Sequence, residues 1–149
     1  MKEGTGLIQR IFAIPGPPHG KERARVTARG KYPHAYTPEK TALYERLVGE
    51  CYNFAHPGAD RLTGPVEIKI TAFYPIPKSW SVKRKQEALA EMVLPTVKPD
   101  GSNVLKCVED GLNGIAYEDD KQITLATVAK KYGAVPRVEV EIYGKEADE

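Results

Sequence analysis

"GPVEIKITAFYP" (residues 64–75) alternates Val66, Ile68, Ile70 and Ala72 with Glu67, Lys69 and Thr71. A period of two puts the apolar set on one face of a β-strand and the polar set on the other, so this stretch predicts a half-buried strand. One apolar face must be covered, and the chain offers covers on both sides. Upstream, "TPEKTALYERLVGECYNFA" (37–55) reads as a helix with Thr37 as N-cap, Pro38 at the first helical position and Glu39 at the positive end. Leu43, Leu47 and Cys51, joined by Tyr44, Val48 and Phe54, are its expected apolar side. Downstream, residues 81–92 and "SNVLKCVEDGLNG" (102–114) read as two more helices, the second with Ser102 as N-cap and Gly114 past its end.

Further strands complete the pattern. "LIQRIFAIPG" (7–16) is a strand stopped by Pro15, Gly16, Pro17 and Pro18, and a short hairpin is expected around Gly30. "QITLATVAKKY" (122–132) and "PRVEVEIYG" (136–144), joined by a turn at Gly133, read as an antiparallel hairpin. The expectation is one domain over residues 1–149. Its class is α/β (α+β), with a mixed sheet flanked by helices and a hairpin at its end.

Composition fits such a domain: 149 residues, 41% hydrophobic and 28% charged. No apolar run approaches bilayer length and no signal-like segment opens the chain, so a cytoplasmic protein with no membrane partner is expected. Cys51 and Cys107 have no metal spacing and read as reduced thiols. The net charge of +2 is too small to announce a nucleic-acid partner, but basic residues cluster in "HGKERARVTARGK" (19–31) and "KSWSVKRK" (78–85). Either cluster can grip phosphates or simply face solvent.

Chemistry concentrates in "VKPDGSNVLKCVEDGLNGIAYEDDKQ" (97–122). On a helical wheel Val104, Leu105, Val108 and Leu112 share a core-facing stripe, leaving Asn103, Lys106, Cys107 and Asp110 on the other side. Asp100 precedes this helix, and Asp119 and Asp120 follow it, where they are expected to open a strand and point to opposite faces. Acids before and after a helix that carries a lysine suit a phosphodiester substrate. Carboxylates hold a hard divalent ion such as Mg²⁺, and a cation offsets charge on the phosphate. An exposed acidic turn and a plain Lys106–Asp110 surface pair are the bland alternatives. An EF-hand is excluded, because Leu105 occupies the position that needs glycine. Serine hydrolase chemistry finds no glycine elbow around Ser102.

"KPDGSNVLKCVEDGLNGIAYEDDKQI" (98–123) resembles the signature of RusA-type Holliday junction resolvases, prophage members included. "GPPHGKERARVTARGKYPHAYTPEKTALYE" (16–45) and "KKYGAVPRVEVEI" extend the resemblance over most of the chain. The resemblance implies a small homodimer that makes paired Mg²⁺-dependent nicks in four-way DNA junctions during recombination and repair, with Mn²⁺ as a substitute ion. Carried over by position, Asp100, Lys106 and Asp120 are catalytic, and Asp100 and Asp120 hold the metal. Ser102 is a weak third ligand, and Asn103, Asp110 and Asp119 are supporting positions. Lys21, Arg23, Arg25, Arg29, Lys83, Arg84 and Lys85 are the expected DNA contacts. Ser102 stands where the family pattern has an aspartate, which also admits a junction-binding protein with weak or no activity.

Overall fold

A computed structural model of the chain describes residues 6–22, 25–27, 30 and 32–147. Its centre is β4 (Leu62–Pro75), and the expected alternation holds: Val66, Ile68, Ile70, Ala72 and Tyr74 are buried. β1 (Ile8–Pro15), β5 (Ile123–Gly133) and β6 (Arg137–Glu146) join it in a four-stranded sheet of order β1-β6-β4-β5. β6 runs antiparallel to β1 and β4, whereas β5 runs parallel to β4, so the sheet is mixed. β2 (Arg25–Thr27) and β3 (His34–Tyr36) form the short antiparallel hairpin expected around Gly30. The class is therefore α+β.

The direct pairing expected between the last two strands does not occur, because β4 lies between β5 and β6. Their short link steps over the end of β4 at Pro75, which stands opposite Gly133. Two strand spacings are about 9–10 Å, which three linking residues can span. A side chain at Gly133 would press on Phe73, its Cβ lying 3.0 Å from that of Phe73, while the Arg137 guanidinium covers the same ring at 3.9 Å.

Three helices accompany the sheet: α1 (Glu39–Ala55), α2 (Val82–Leu89) and α3 (Gly101–Leu112). α1 and α3 pack together on the face formed by Phe12, Ile14, Ile68, Ile70, Val140 and Ile142, with Val48, Tyr52, Val104, Val108 and Leu112 completing the core. Burial of each such aliphatic side chain contributes about 1.5–3 kcal/mol. Among the described residues no helix is long and apolar enough to cross a membrane.

The helices depart from expectation in three places. Pro38, not Thr37, is the residue before α1, and no side-chain bond caps it. The buried stripe of α1 is Thr41, Val48, Gly49 and Tyr52, while Leu43 is 56% and Phe54 91% exposed. Tyr44, Leu47 and Cys51 pack partly buried against the core, and Gly49 faces α3, where an added Cβ would lie 3.3 Å from Gly111 O. α2 ends at Leu89, short of residue 92: Glu91 adopts φ 64°, and the Met92 N–H bonds back to Glu87 O in a helix-ending turn.

Candidate active site

α3 begins two residues earlier than the expected cap at Ser102 implies. Asp100 is its cap residue, with the Asn103 and Val104 N–H groups donating to the Asp100 carbonyl. Ser102 lies exposed inside the first turn and is not the cap. Val104, Val108 and Leu112 are buried as the wheel predicts. Cys107 is buried too, contrary to the wheel, while Leu105 is only half-buried. Burial against α1 pushes the Cys107 thiol up to about 12. Both cysteines are free thiols, as expected.

After α3 the chain turns through Gly114, whose φ of 77° is the left-handed conformation that glycine adopts readily. Asp119 and Asp120 do not open a strand. Asp120 begins a 3-10 turn (Asp120–Gln122), and Asp119 caps it by accepting from the Lys121 N–H at 3.0 Å. Gln122 reciprocates, its side-chain oxygen accepting from the Glu118 and Asp119 N–H groups while its amide donates to Leu62 O and Gly64 O. This is a capping box, and it ties the turn to the start of β4. The bond from Lys121 holds the Asp119 carboxyl below its usual range. Asn113 accepts from the Asp120 N–H, so the end of α3 fixes the same turn.

The turn aims Asp120 at Lys106. Lys106 Nζ lies 3.1 Å from Asp120 Oδ2 and 3.1 Å from Asp110 Oδ1. Hydrogen bonds to Asp120 and then Asp110 hold the ammonium up to about 12, so it is a permanent cation. A lysine ammonium has three hydrogens. Two face these carboxylates, and with the side chain 50% exposed the third can meet an incoming phosphate. Asp110 is shared: its Oδ2 lies 3.1 Å from Lys21 Nζ, which also bonds Glu45 of α1. Burial alone would lower the Lys21 pKa, but its bonds to Glu45 and Asp110 leave it raised.

Asp100 stands apart from this group. Among the described residues no ion pair joins its carboxylate to Lys106, and no three His, Cys, Asp or Glu side chains gather as a metal site. Asp100 instead lines a cleft of about 500 Å³ with Asn103, Lys98, Pro99 and the loop Pro18–Glu22. The loop before α3 is anchored by Tyr74, whose hydroxyl donates to Pro99 O, and by Lys130, which donates to Val97 O at 2.6 Å. Burial, and then the nearby Asp100 charge, push the Tyr74 hydroxyl up to about 12. In kind, the exposed oxygen donors of Asp100 and Ser102, with Asn103 beside them and Asp120, fit a hard divalent ion.

Of the expected DNA contacts, Lys21 is engaged as above. Arg23 and Arg29 lie outside the described residues, and Arg25 enters only through its backbone in β2. Lys83, Arg84 and Lys85 form the first turns of α2, which Ser81 caps by accepting from the Arg84 N–H. The Arg84 guanidinium lies 4.1 Å over the Trp80 ring. Glu45, Asn113, Gln122 and Lys130 escaped the sequence reading. The Asp119-x-x-Gln122 spacing is a capping-box signal that would have revealed one of them.

The chain is 35% identical over 133 residues to the "Uncharacterized protein YqaN" of Bacillus subtilis (strain 168), an alignment covering 88% of this chain and 93% of that protein. Residues 15–143 match the family described as "Endodeoxyribonuclease RusA", a span that holds Asp100, Lys106, Asp110 and Asp120 together with the whole sheet from the end of β1 into β6. The chain belongs to the RusA family of Holliday-junction-resolving endodeoxyribonucleases.

Proposed function

We propose that this chain is a Mg²⁺-dependent endonuclease that cuts four-way DNA junctions by paired nicks. The observation that carries the reading is the Lys106 ammonium, fixed by Asp110 and Asp120 with its third hydrogen free toward solvent. Lys106 meets the scissile phosphate and offsets the charge that develops there. Asp120 and Asp100 would hold the metal, with Ser102 as a third, weaker donor. A bound Mg²⁺, or Mn²⁺ in its place, supplies Lewis-acid stabilisation and a more acidic water. Asp119 keeps the turn that presents Asp120, and Asn103 lines the approach to Asp100.

Lys83, Arg84 and Lys85, with Arg23, Arg25 and Arg29, contact the DNA backbone and set its path. Such contacts carry affinity and salt dependence more than sequence choice. Paired nicks need two sites related by a two-fold axis, so the active form is a homodimer. A second reading, junction binding with slow or no cutting, is favoured by Ser102 at the position where the family pattern has an aspartate.

A labelled four-way junction incubated with Mg²⁺ tests the proposal. Symmetric nicks that are lost with EDTA and in Asp120→Asn are expected. Tight binding without nicks supports the second reading, and equal binding to junction and linear duplex contradicts both.

A further inference from the structure

We propose that Lys21 and Glu45 are positioning residues of this site, holding Asp110 and through it the ammonium of Lys106. The proposal rests on the nuclease reading for its activity readout and on geometry alone for its second readout. Five charged groups from four parts of the chain alternate in sign: Glu45, Lys21, Asp110, Lys106 and Asp120. Lys21 is 26% exposed, and Glu45 and Asp110 are each 21% exposed, so the inner links are shielded from water. Exposed pairs contribute little; shielded ones are screened less and fix geometry more.

Lys21 is placed for this by its backbone. Its N–H donates to Asn103 O at 2.9 Å, and the next residue's N–H donates to the buried Thr41 hydroxyl at 3.3 Å. Before it, Gly20 lies so close to α3 that a Cβ would sit 2.7 Å from Pro99 Cβ and 3.3 Å from Asn103 Cβ. Gly20 and Lys21 are therefore seated on the start of α3, and the Lys21 ammonium reaches Asp110. A lysine meant to reach DNA would gain nothing from this confinement.

The consequence lies in how Asp110 is divided. Oδ2 faces Lys21 and Oδ1 faces Lys106, so the carboxylate cannot turn both oxygens to Lys106 while Lys21 is present. Without the Lys21 charge, Asp110 is free to draw Lys106 towards itself and away from the phosphate. Glu45, which pairs with Lys21 among the described residues, then adds negative charge nearby. Binding of DNA by α2 and the other basic residues is not affected.

The test compares Lys21→Met, Lys21→Arg and Glu45→Gln with the unmodified chain. For Lys21→Met, kcat on the junction is expected to fall about 10–100-fold, the scale of a small misplacement at a reacting centre, with KM within about threefold. Lys21→Arg restores part of the loss, and Glu45→Gln shows a smaller fall of the same kind. In parallel, ¹⁵N spectra of lysine ammonium groups, with Lys106 assigned by its substitution, are expected to show the Lys106 signal displaced in Lys21→Met and Glu45→Gln without DNA or metal. A rise in KM with unchanged kcat makes Lys21 a phosphate contact and overturns the proposal. An unmoved Lys106 signal also overturns it. If the unmodified chain cuts no junction, the nuclease reading fails while the spectra still decide the positioning role. Should Lys21→Met fail to fold, Glu45→Gln decides by the same criteria.

Discussion

Replacing Gly111 with alanine adds one methyl group where α3 touches α1. Built on the present backbone, that Cβ would lie 2.7 Å from the Glu45 carbonyl oxygen, 2.8 Å from Val48 Cβ and 3.0 Å from Val48 Cγ1. Carbon atoms normally rest about 3.5–4.0 Å apart, and an oxygen and a Cβ on α1 yield only if the helix moves. Overpacking of this kind costs about 1–3 kcal/mol, against a helix-propensity gain of at most about 1 kcal/mol. Taking the middle of that cost less the gain, the net expectation is destabilisation by about 1 kcal/mol, or a melting temperature lower by roughly 2–4 °C for a chain of this size. Gly49→Ala is the internal control. It offers the same propensity gain on α1, but its Cβ meets the end of the flexible Ile115 side chain at 2.7 Å, with Gly111 O at 3.3 Å. That variant should stay within about 1 kcal/mol of the parent. Urea and thermal melts of both variants give the comparison. A Gly111→Ala protein as stable as the parent, or less affected than Gly49→Ala, would refute the close-helix argument.

Other perturbations follow from single contacts. Arg10 is buried and donates to the Tyr52 hydroxyl at 2.7 Å, Asp60 O at 2.6 Å and Glu146 at 2.5 Å, so Arg10→Met should cost about 2–4 kcal/mol in urea denaturation. Native Cys51, which is half-buried, should be alkylated well before Cys107, as followed by mass spectrometry of timed quenches. The folded Cys107 thiol titrates near 12 rather than its ordinary 9.0, so the unfolded chain binds fewer protons between those values. Its contribution is complete below pH 9 and is lost as pH rises towards 12, and Tyr74 acts with the same sign above pH 10. Melting temperatures across this range should fall less steeply in Cys107→Ala.

What could be read from the chain was what neighbours in sequence decide. The period-two pattern at Val66–Ala72 identified β4, and the spacing of Val104, Val108 and Leu112 identified the buried side of α3. Local signals misled where a distant segment intervened. Gly133 looks like a hairpin turn, but nothing in residues 122–144 reveals that β4 separates the two strands. Cys107 lies on the polar side of an isolated wheel and is buried because α1 covers it. Leu43 and Phe54 look like core but are exposed, and of the expected apolar side only Val48 is fully buried, joined there by Thr41, Gly49 and Tyr52. At the site, Lys106 and Asp110 were legible as helical neighbours, whereas Glu45 carried no signal at all. Its role arises only when α1, the basic loop and α3 meet. Asp119 was misplaced for a different reason: its capping box with Gln122 is written locally, but the strand pattern that begins at the next residue obscured it.

Lys106, fixed between Asp110 and Asp120, is proposed to serve the cutting of branched DNA. Single-turnover cleavage of a four-way junction, with protein in excess and Mg²⁺ present, tests this most directly when the chain is compared with Lys106→Met. Paired symmetric nicks are expected from the unmodified chain and at least a roughly 100-fold slower rate from the variant, with the junction still bound by both. Equal cleavage rates for the two proteins would contradict it.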